Sequence, residues 1–519
     1  MKRFLSLLLV LTLMLGVCGL PAFAQADEAP YEMTIWMPMN HSSFMTTYDD
    51  VKCVQLIGEK TGIKVSFIHP TIAQNEAFNI MVASRDYPDA IYYRWSTYPG
   101  GLTKAVADGL LIKLDDYKEY MPNLMRVFEE NPELKRQALL DDGSLAWFPA
   151  ATTSYLRRAF NGILIRQDWL DKLGLKMPTT IDELKETLIA FKTQDPNGNG
   201  EADEIGLISN QSEVVNTLNL LGGAWGVRDS WQIDPETGKI AYGPVLPAYK
   251  EYLKTMHEWY EEGLIDKEFA ATDGNMYTAK VTSSQAGIYQ GNTATFEQHT
   301  RLMEEAVPEV NLQGMPYLIG PAGKDYSSDE NRVRLVWGQG VGVTTGCKNI
   351  PAVVKFLDYG YSDEGYMAYG WGVEGESYTM ENGVPTLTEI ITNDPDKLAT
   401  TQAIVRYAFG NNGFAKLHNI DFWKATELNF RGSKEANALW YEADNGLLLP
   451  LLNLTEEEGR EVASIMNEVT TYYNEMFMKF IIGTESLDNF DRYVETIKSM
   501  GLEQATAIEQ AAYDRYASK

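Results

Sequence analysis

The chain has 519 residues, 45% of them hydrophobic, which suits two to four domains with real cores and is not a disordered composition. Its formal charge of −28 argues against a nucleic-acid partner, because a phosphate backbone needs a basic face, and against adsorption to anionic lipid. At the N-terminus, Lys2 and Arg3 precede an apolar run over residues 4–17, and Ala22-Phe23-Ala24 forms an A-x-A cleavage site before Gln25. Residues 1–24 therefore read as a signal peptide, with a run too short for a membrane span. It carries two positive charges and no negative ones, so its removal takes −28 to −30. Cys18 follows Leu15-Gly16-Val17, and Val17 does not fit a lipoprotein signal, so release is expected rather than a lipid anchor. Cys53 and Cys347 could pair or stay as two buried thiols, and sequence leaves both open.

Short apolar runs then alternate with amphipathic helices. Residues 33–37, 63–67 and 88–93 read as strands, the second with period two, while 51–61, 75–84 and 102–108 read as helices. That repetition predicts an α/β fold with a parallel or mixed sheet covered on both faces. After a break near residues 141–144, residues 163–166 read as a strand and 168–173 as a short helix closed by Gly174. Thr180 followed by Glu183 is a capping box that starts a strong helix. Further helices fit residues 247–262, 351–361, 456–480 and 487–499. No fixed-period repeat and no Pro/Ser-rich linker separates domains, which favours lobes wound together by several crossings.

The helix begun at Thr180 runs into Asp195-Pro196-Asn197-Gly198-Asn199-Gly200-Glu201-Ala202-Asp203-Glu204. Oxygen-bearing side chains alternate there, as a hard cation such as Ca²⁺ requires, and Gly200 stands at the sixth position, where an EF-hand-type loop turns. The match is partial: position twelve is Gly206, so Asp203 and Glu204 would close the shell early. The alternative is an Asn/Gly turn that bonds only to itself.

Several segments together resemble a known family. They are residues 161–170, Lys172-Leu173-Gly174-Leu175, residues 178–184, Phe191-Lys192 with the Asp195 loop, Gly370 to Tyr378, Lys479 to Gly483, and Gln510 to Tyr516. Their order and spacing are similar to those of the extracellular solute-binding proteins, family 1, of bacterial ABC importers. The nearest branch is the large oligosaccharide-binding type that includes alginate-binding proteins and related lipoproteins. The resemblance implies a two-lobed, type II periplasmic-binding-protein-like fold with hinge-linked lobes around a central cleft. It places residues 31–150 plus 335–415 in lobe 1 and 151–334 plus 416–519 in lobe 2. It also implies a monomer that hands an oligosaccharide to a membrane permease. For the loop it implies a structural Ca²⁺ held by Asp195, Asn197, Asn199, the Glu201 carbonyl, Asp203 and Glu204.

Sugars present hydroxyls and C–H patches, so a carbohydrate cleft mixes aromatic rings with polar side chains. With 11 Trp and 29 Tyr in the chain, position must select among them, and α/β lobes bind beyond the carboxyl ends of their strands. The candidates are Trp36 and Asn40 after the first strand, then Tyr93, Arg94 and Trp95 after the third. Tyr289, Trp371 and Glu374 join them, as do Trp225 among glycines and Tyr155, Arg157 and Arg158 at the first crossing. Arg94, Arg157 and Arg158 could hold a uronate carboxylate in a bidentate fork. An exported glycoside hydrolase would need two carboxylates flanking the sugar, and no strand-end acid motif stands out. The five His residues show no H-E-x-x-H spacing, which disfavours a zinc hydrolase. A sugar-binding sensor or surface protein uncoupled from transport is not separable from an importer subunit by sequence.

Overall fold

The structure, a computed structural model, describes residues 31–209 and 217–518, so the expected signal peptide and Cys18 lie outside the described residues. Its strands in chain order are β1 (Tyr31–Trp36), β2 (Ile63–Ile68), β3 (Ala90–Tyr93), β4 (Phe148–Ala151), β5 (Asn161–Arg166), β6 (Ile205–Leu207) and β7 (Trp231–Ile233). There follow β8 (Ile240–Tyr242), β9 (Ala286–Asn292), β10 (Leu312–Met315), β11 (Val336–Val343), β12 (Tyr378–Glu381), β13 (Val384–Leu387) and β14 (Lys416–Leu417).

Two sheets organise the molecule. The first has the order β14-β4-β11-β3-β1-β2, and the second β10-β5-β9-β6. β1 runs parallel to both β2 and β3, the pairing that the alternation of strands and helices predicts. Its edge partner β2 keeps period two, with Ile63, Val65 and Phe67 buried and Lys64 and Ile68 exposed. In the second sheet β5 lies between antiparallel β9 and β10, and every one of its residues is buried, which is why Ile163-Leu164-Ile165 reads as an unbroken apolar run. Its Gly162 is needed because the Trp440 ring packs where a side chain would stand.

Each sheet carries its own hydrophobic core. One gathers apolar side chains from residues 33–151 and 335–422, the other from 159–318 and 436–502. The chain passes between them near residues 152–158, 319–334 and 423–435. β14 and Phe422, expected with lobe 2, join the first sheet and core instead. The reason is local: Lys416 and Leu417 pair with Ala150 and Ala151 of β4, and Phe422 packs edge-on against Trp371.

The helices follow their sequence signals closely. Thr180 accepts a hydrogen bond from the Glu183 N–H, and the Glu183 carboxylate accepts one from the Thr180 N–H, which starts the helix Ile181–Thr193. A second capping box, Thr455 with Glu458, opens the 27-residue helix Glu456–Ile482. Cys53 is buried, Cys347 is partly buried, and both are free thiols. Burial pushes each thiol up to about 12, so neither is a thiolate at neutral pH. Among the described residues no helix is long and apolar enough to cross a membrane.

Candidate functional site

A cleft of about 1350 Å³ lies between the two cores. That exceeds the roughly 300–1,000 Å³ of ordinary small-molecule pockets, so an elongated ligand is in keeping with it. Lobe 1 contributes the loops after β1 and β3, with Asn40, Arg94 and Trp95. The second core's side contributes Phe160, Trp231, Gln290 and Asn292. One face of the helix Glu456–Ile482 adds a wall through Gly459, Val462, Met466, Thr470 and Asn474, spaced three or four apart. Gly459 lets that helix touch the Gly100 backbone of the first lobe.

The structure brings three of the sequence candidates to the cleft. Asn40 and Arg94 are exposed there, and Trp95 reaches it only at an edge, being 1% exposed with its indole N–H donated to the Gly340 carbonyl at 3.1 Å. The others stand elsewhere. Trp36 packs edge-on against Phe78 in the core, and Tyr93 stacks on the same Phe78 with ring centroids 3.9 Å apart. Tyr289 and Trp371 are fully buried. Trp225 packs against Tyr252 in the second core, and its flanking glycines serve chain packing: Gly223 abuts the Tyr326 backbone, and Gly222 abuts Val227. Tyr155 and Glu374 are exposed but do not line the cleft.

Arg157 and Arg158 are buried behind the cleft, not in it. The Arg157 guanidinium sits 5.0 Å from the ring centroids of Phe160 and Trp337 and 5.1 Å from that of Trp423. Arg158 lies 4.7 Å from the Trp337 centroid and donates to the Asn331 carbonyl at 2.9 Å. His418 stacks on Trp337 at 3.9 Å. Burial lowers the pKa of His418 far below the usual imidazole value, with Lys416, Arg157 and Arg158 adding to the effect. It also lowers the buried Lys416 ammonium to about 7.

Trp337 itself is half-buried and lines the cleft on β11, next to a crossing segment. The sequence reading passed over it. Its flanking Gly338-Gln339-Gly340 carries the same small-residue signal that drew attention to Trp225.

Three ionic groups of the cleft, Arg228, Glu330 and Arg334, pair with one another. Arg334 forks onto Glu330 at 2.6 and 2.9 Å. Arg228 reaches Glu330 at 3.3 Å and spends its other donors on the Ser328 and Trp231 carbonyls. Desolvation pushes the Glu330 carboxyl up, but Arg334 and Arg228 outweigh it and hold it below the usual range.

Away from the cleft, the loop over residues 195–204 leads from the helix Ile181–Thr193 into β6. Asp195, at φ 44°, accepts from the Gly198 and Gly200 N–H groups at 2.8 and 3.1 Å. Asn197 and Asn199 accept from the N–H two residues on, at 2.9 and 2.7 Å, and both amides donate to Asp203. Glu204 is 8% exposed, and neither of its carboxylate oxygens has a hydrogen-bond partner. Desolvation raises its pKa, and Asp195 and Asp203 push the same way. A buried carboxylate beside two others, unsatisfied, is the donor chemistry a hard cation would complete. Among the described residues no three His, Cys, Asp or Glu side chains converge on one point, so the loop would have to tighten around the ion.

Comparison with known proteins finds one matching family model. Residues 129–367 match the model of the bacterial extracellular solute-binding protein. The fructooligosaccharide ABC transporter substrate-binding protein FusA of Streptococcus pneumoniae is 26% identical over 89% of this chain and 86% of its own length. The polygalacturonan/rhamnogalacturonan-binding protein YtcQ of Bacillus subtilis is 24% identical over 86% and 84%. Among solved structures, alginate-binding protein AlgQ2 without calcium ion superposes with a TM-score of 0.77 at 23% identity, covering 94% of this chain and 98% of that one. FusA in complex with kestose superposes at 0.76 and 24%, covering 94% and 99%, and another solved form of FusA is an EF-hand mutant. Residues 129–367 are thus similar to the bacterial extracellular solute-binding proteins, and over 94% of its length the chain has the two-lobed fold of AlgQ2 and FusA.

Proposed function

We propose that this protein is the extracytoplasmic solute-binding component of an ABC importer, capturing an oligosaccharide between its lobes and passing it to a membrane permease. The observation that carries this is the cleft itself: half-buried Trp231, Trp337 and Phe160 offer faces for sugar C–H, and amides surround them. The relatives named for fructooligosaccharide and polygalacturonan support the same reading. Ligand bridging both walls would shift the population towards a closed form by bending the crossing segments, and the permease would recognise that form. Residues 1–24 would direct export and be removed, leaving a monomer.

The loop would hold a structural Ca²⁺ through Asp195, Asn197, Asn199, the Glu201 carbonyl, Asp203 and Glu204. The ion would neutralise three carboxylates and fix the start of β6, far from the ligand. No bond of the ligand is altered in this scheme. Supporting that, Glu330, one of three acidic residues among the described cleft lining, is committed to two arginines.

Calorimetric titration with an oligosaccharide panel, paired with small-angle scattering, tests the reading. Binding should come with a smaller radius of gyration and with ligand recovered intact. Hydrolysis of the ligand, or tight binding without compaction, would refute it.

A further inference from the structure

We infer that the ligand is an oligosaccharide without charge. This rests on the reading of the cleft as an oligosaccharide site and adds the chemical class of the sugar. The relatives leave that class open, since one is named for fructooligosaccharides and two for polymers of acidic sugars.

The lining carries three cationic side chains, Arg94, Arg228 and Arg334, and three acidic ones, Asp229, Glu330 and Glu509, with no lysine among the described lining residues. Arg228 and Arg334 are already bound to Glu330 and to carbonyls, so neither offers a fork to an incoming carboxylate. Arg157 and Arg158 lie behind the Trp337 ring and are fully buried. That leaves Arg94, whose guanidinium makes no salt bridge or hydrogen bond among the described residues. An oligomer of uronic acid brings one carboxylate per ring, and one arginine can neutralise one of them. The rest would find no free cation among the described lining residues and would meet a chain of net charge −28, which opposes binding.

The cleft is well supplied for hydroxyls instead. Twelve of its lining residues are Asn or Gln, each with a donor and an acceptor at one side-chain end. Those of Asn40, Asn161, Gln290 and Gln339 carry no side-chain hydrogen bond among the described residues. They come from both sides of the cleft, so closure would bring donors and acceptors onto the sugar from two directions. Arg94 then serves as a donor to a hydroxyl.

The experiment compares matched probes that differ in charge alone. Oligogalacturonate and its methyl ester are titrated calorimetrically alongside fructo-, xylo-, manno- and malto-oligosaccharides, at low and high salt. The expected result is that a neutral probe binds, that its Kd changes less than about twofold with salt, and that the free acid binds at least about tenfold more weakly than its ester or not at all. Arg94→Gln should weaken the neutral ligand and leave the salt dependence flat. A free acid that binds more tightly than every neutral probe, is weakened by salt and is lost in Arg94→Gln overturns the inference while leaving the oligosaccharide reading intact. No binding by any saccharide overturns both.

Discussion

Replacing Glu204 with Gln should separate the metal-free protein from the calcium-loaded one. In the metal-free loop the Glu204 carboxylate is buried with neither oxygen hydrogen-bonded, and two further carboxylates lie in the same loop. An unsatisfied buried polar group costs about 1–3 kcal/mol, and more when charged. Removing that charge should leave the metal-free protein as stable as before, or more so by about 1 kcal/mol. Calcium at a hundred times its Kd should add about 2.7 kcal/mol to the parent chain by mass action. For lobes of this size that corresponds to roughly 5–10 °C in Tm, at about 2–4 °C per kcal/mol. In Glu204→Gln most of the increment should vanish, because an amide oxygen can ligate Ca²⁺ but brings neither the charge nor the second oxygen of a carboxylate. Scanning calorimetry of both chains in EDTA and in calcium, with magnesium as control, reads all four values. If the substitution destabilises both forms equally, Glu204 is an ordinary core residue and the loop reasoning fails.

Other substitutions test the remaining assignments. Trp337→Ala should weaken oligosaccharide binding about tenfold, roughly 1.4 kcal/mol by titration, and unchanged affinity would remove this ring from the site. Trp225→Ala should instead lower stability by about 3–5 kcal/mol in urea denaturation, while the folded fraction keeps its affinity. Burial raises the Glu509 carboxyl to about 7, with Glu458 adding repulsion and Arg334 opposing it. The folded state therefore holds this proton more tightly than the unfolded chain. That contribution is complete below the ordinary glutamate pKa of 4.5 and is lost as pH rises through about 7. Glu509→Gln should match the parent near pH 4 and exceed it at pH 8 by on the order of 3 kcal/mol, measured by denaturant titration at both values.

The local elements were legible because each carries its own signal. The Thr180 and Glu183 box, the period of Ile63, Val65 and Phe67, and the run through β5 all report directly on backbone and burial. The cleft was less legible. An aromatic residue at a strand end can turn inward or outward, and Trp36, Tyr93 and Tyr289 turned inward, where neighbouring helices supply apolar partners such as Phe78. Tertiary placement decides this, and no nearby residue encodes it. The helix Glu456–Ile482 shows the converse. Val462 and Met466, at helical spacing, belong to a stripe that reads as ordinary core in sequence, yet they form a cleft wall because the first lobe stands opposite and Gly459 permits its approach. The candidate cation loop could be singled out because its oxygen-bearing residues are near neighbours in the chain. Trp337 and Arg94 are about 240 positions apart and meet only through the antiparallel pairing of β11 with β3.

The three passages between the cores all join the first sheet at adjacent strands, β14, β4 and β11. Three pins set side by side along one edge resist torsion and sliding, yet yield to flexure about the line that joins them. In the proposed capture, opening and shutting would thereby reduce to a single angular coordinate. A saccharide would meet its second wall along a fixed arc rather than by free docking of two bodies, which would keep the entropic penalty of capture small.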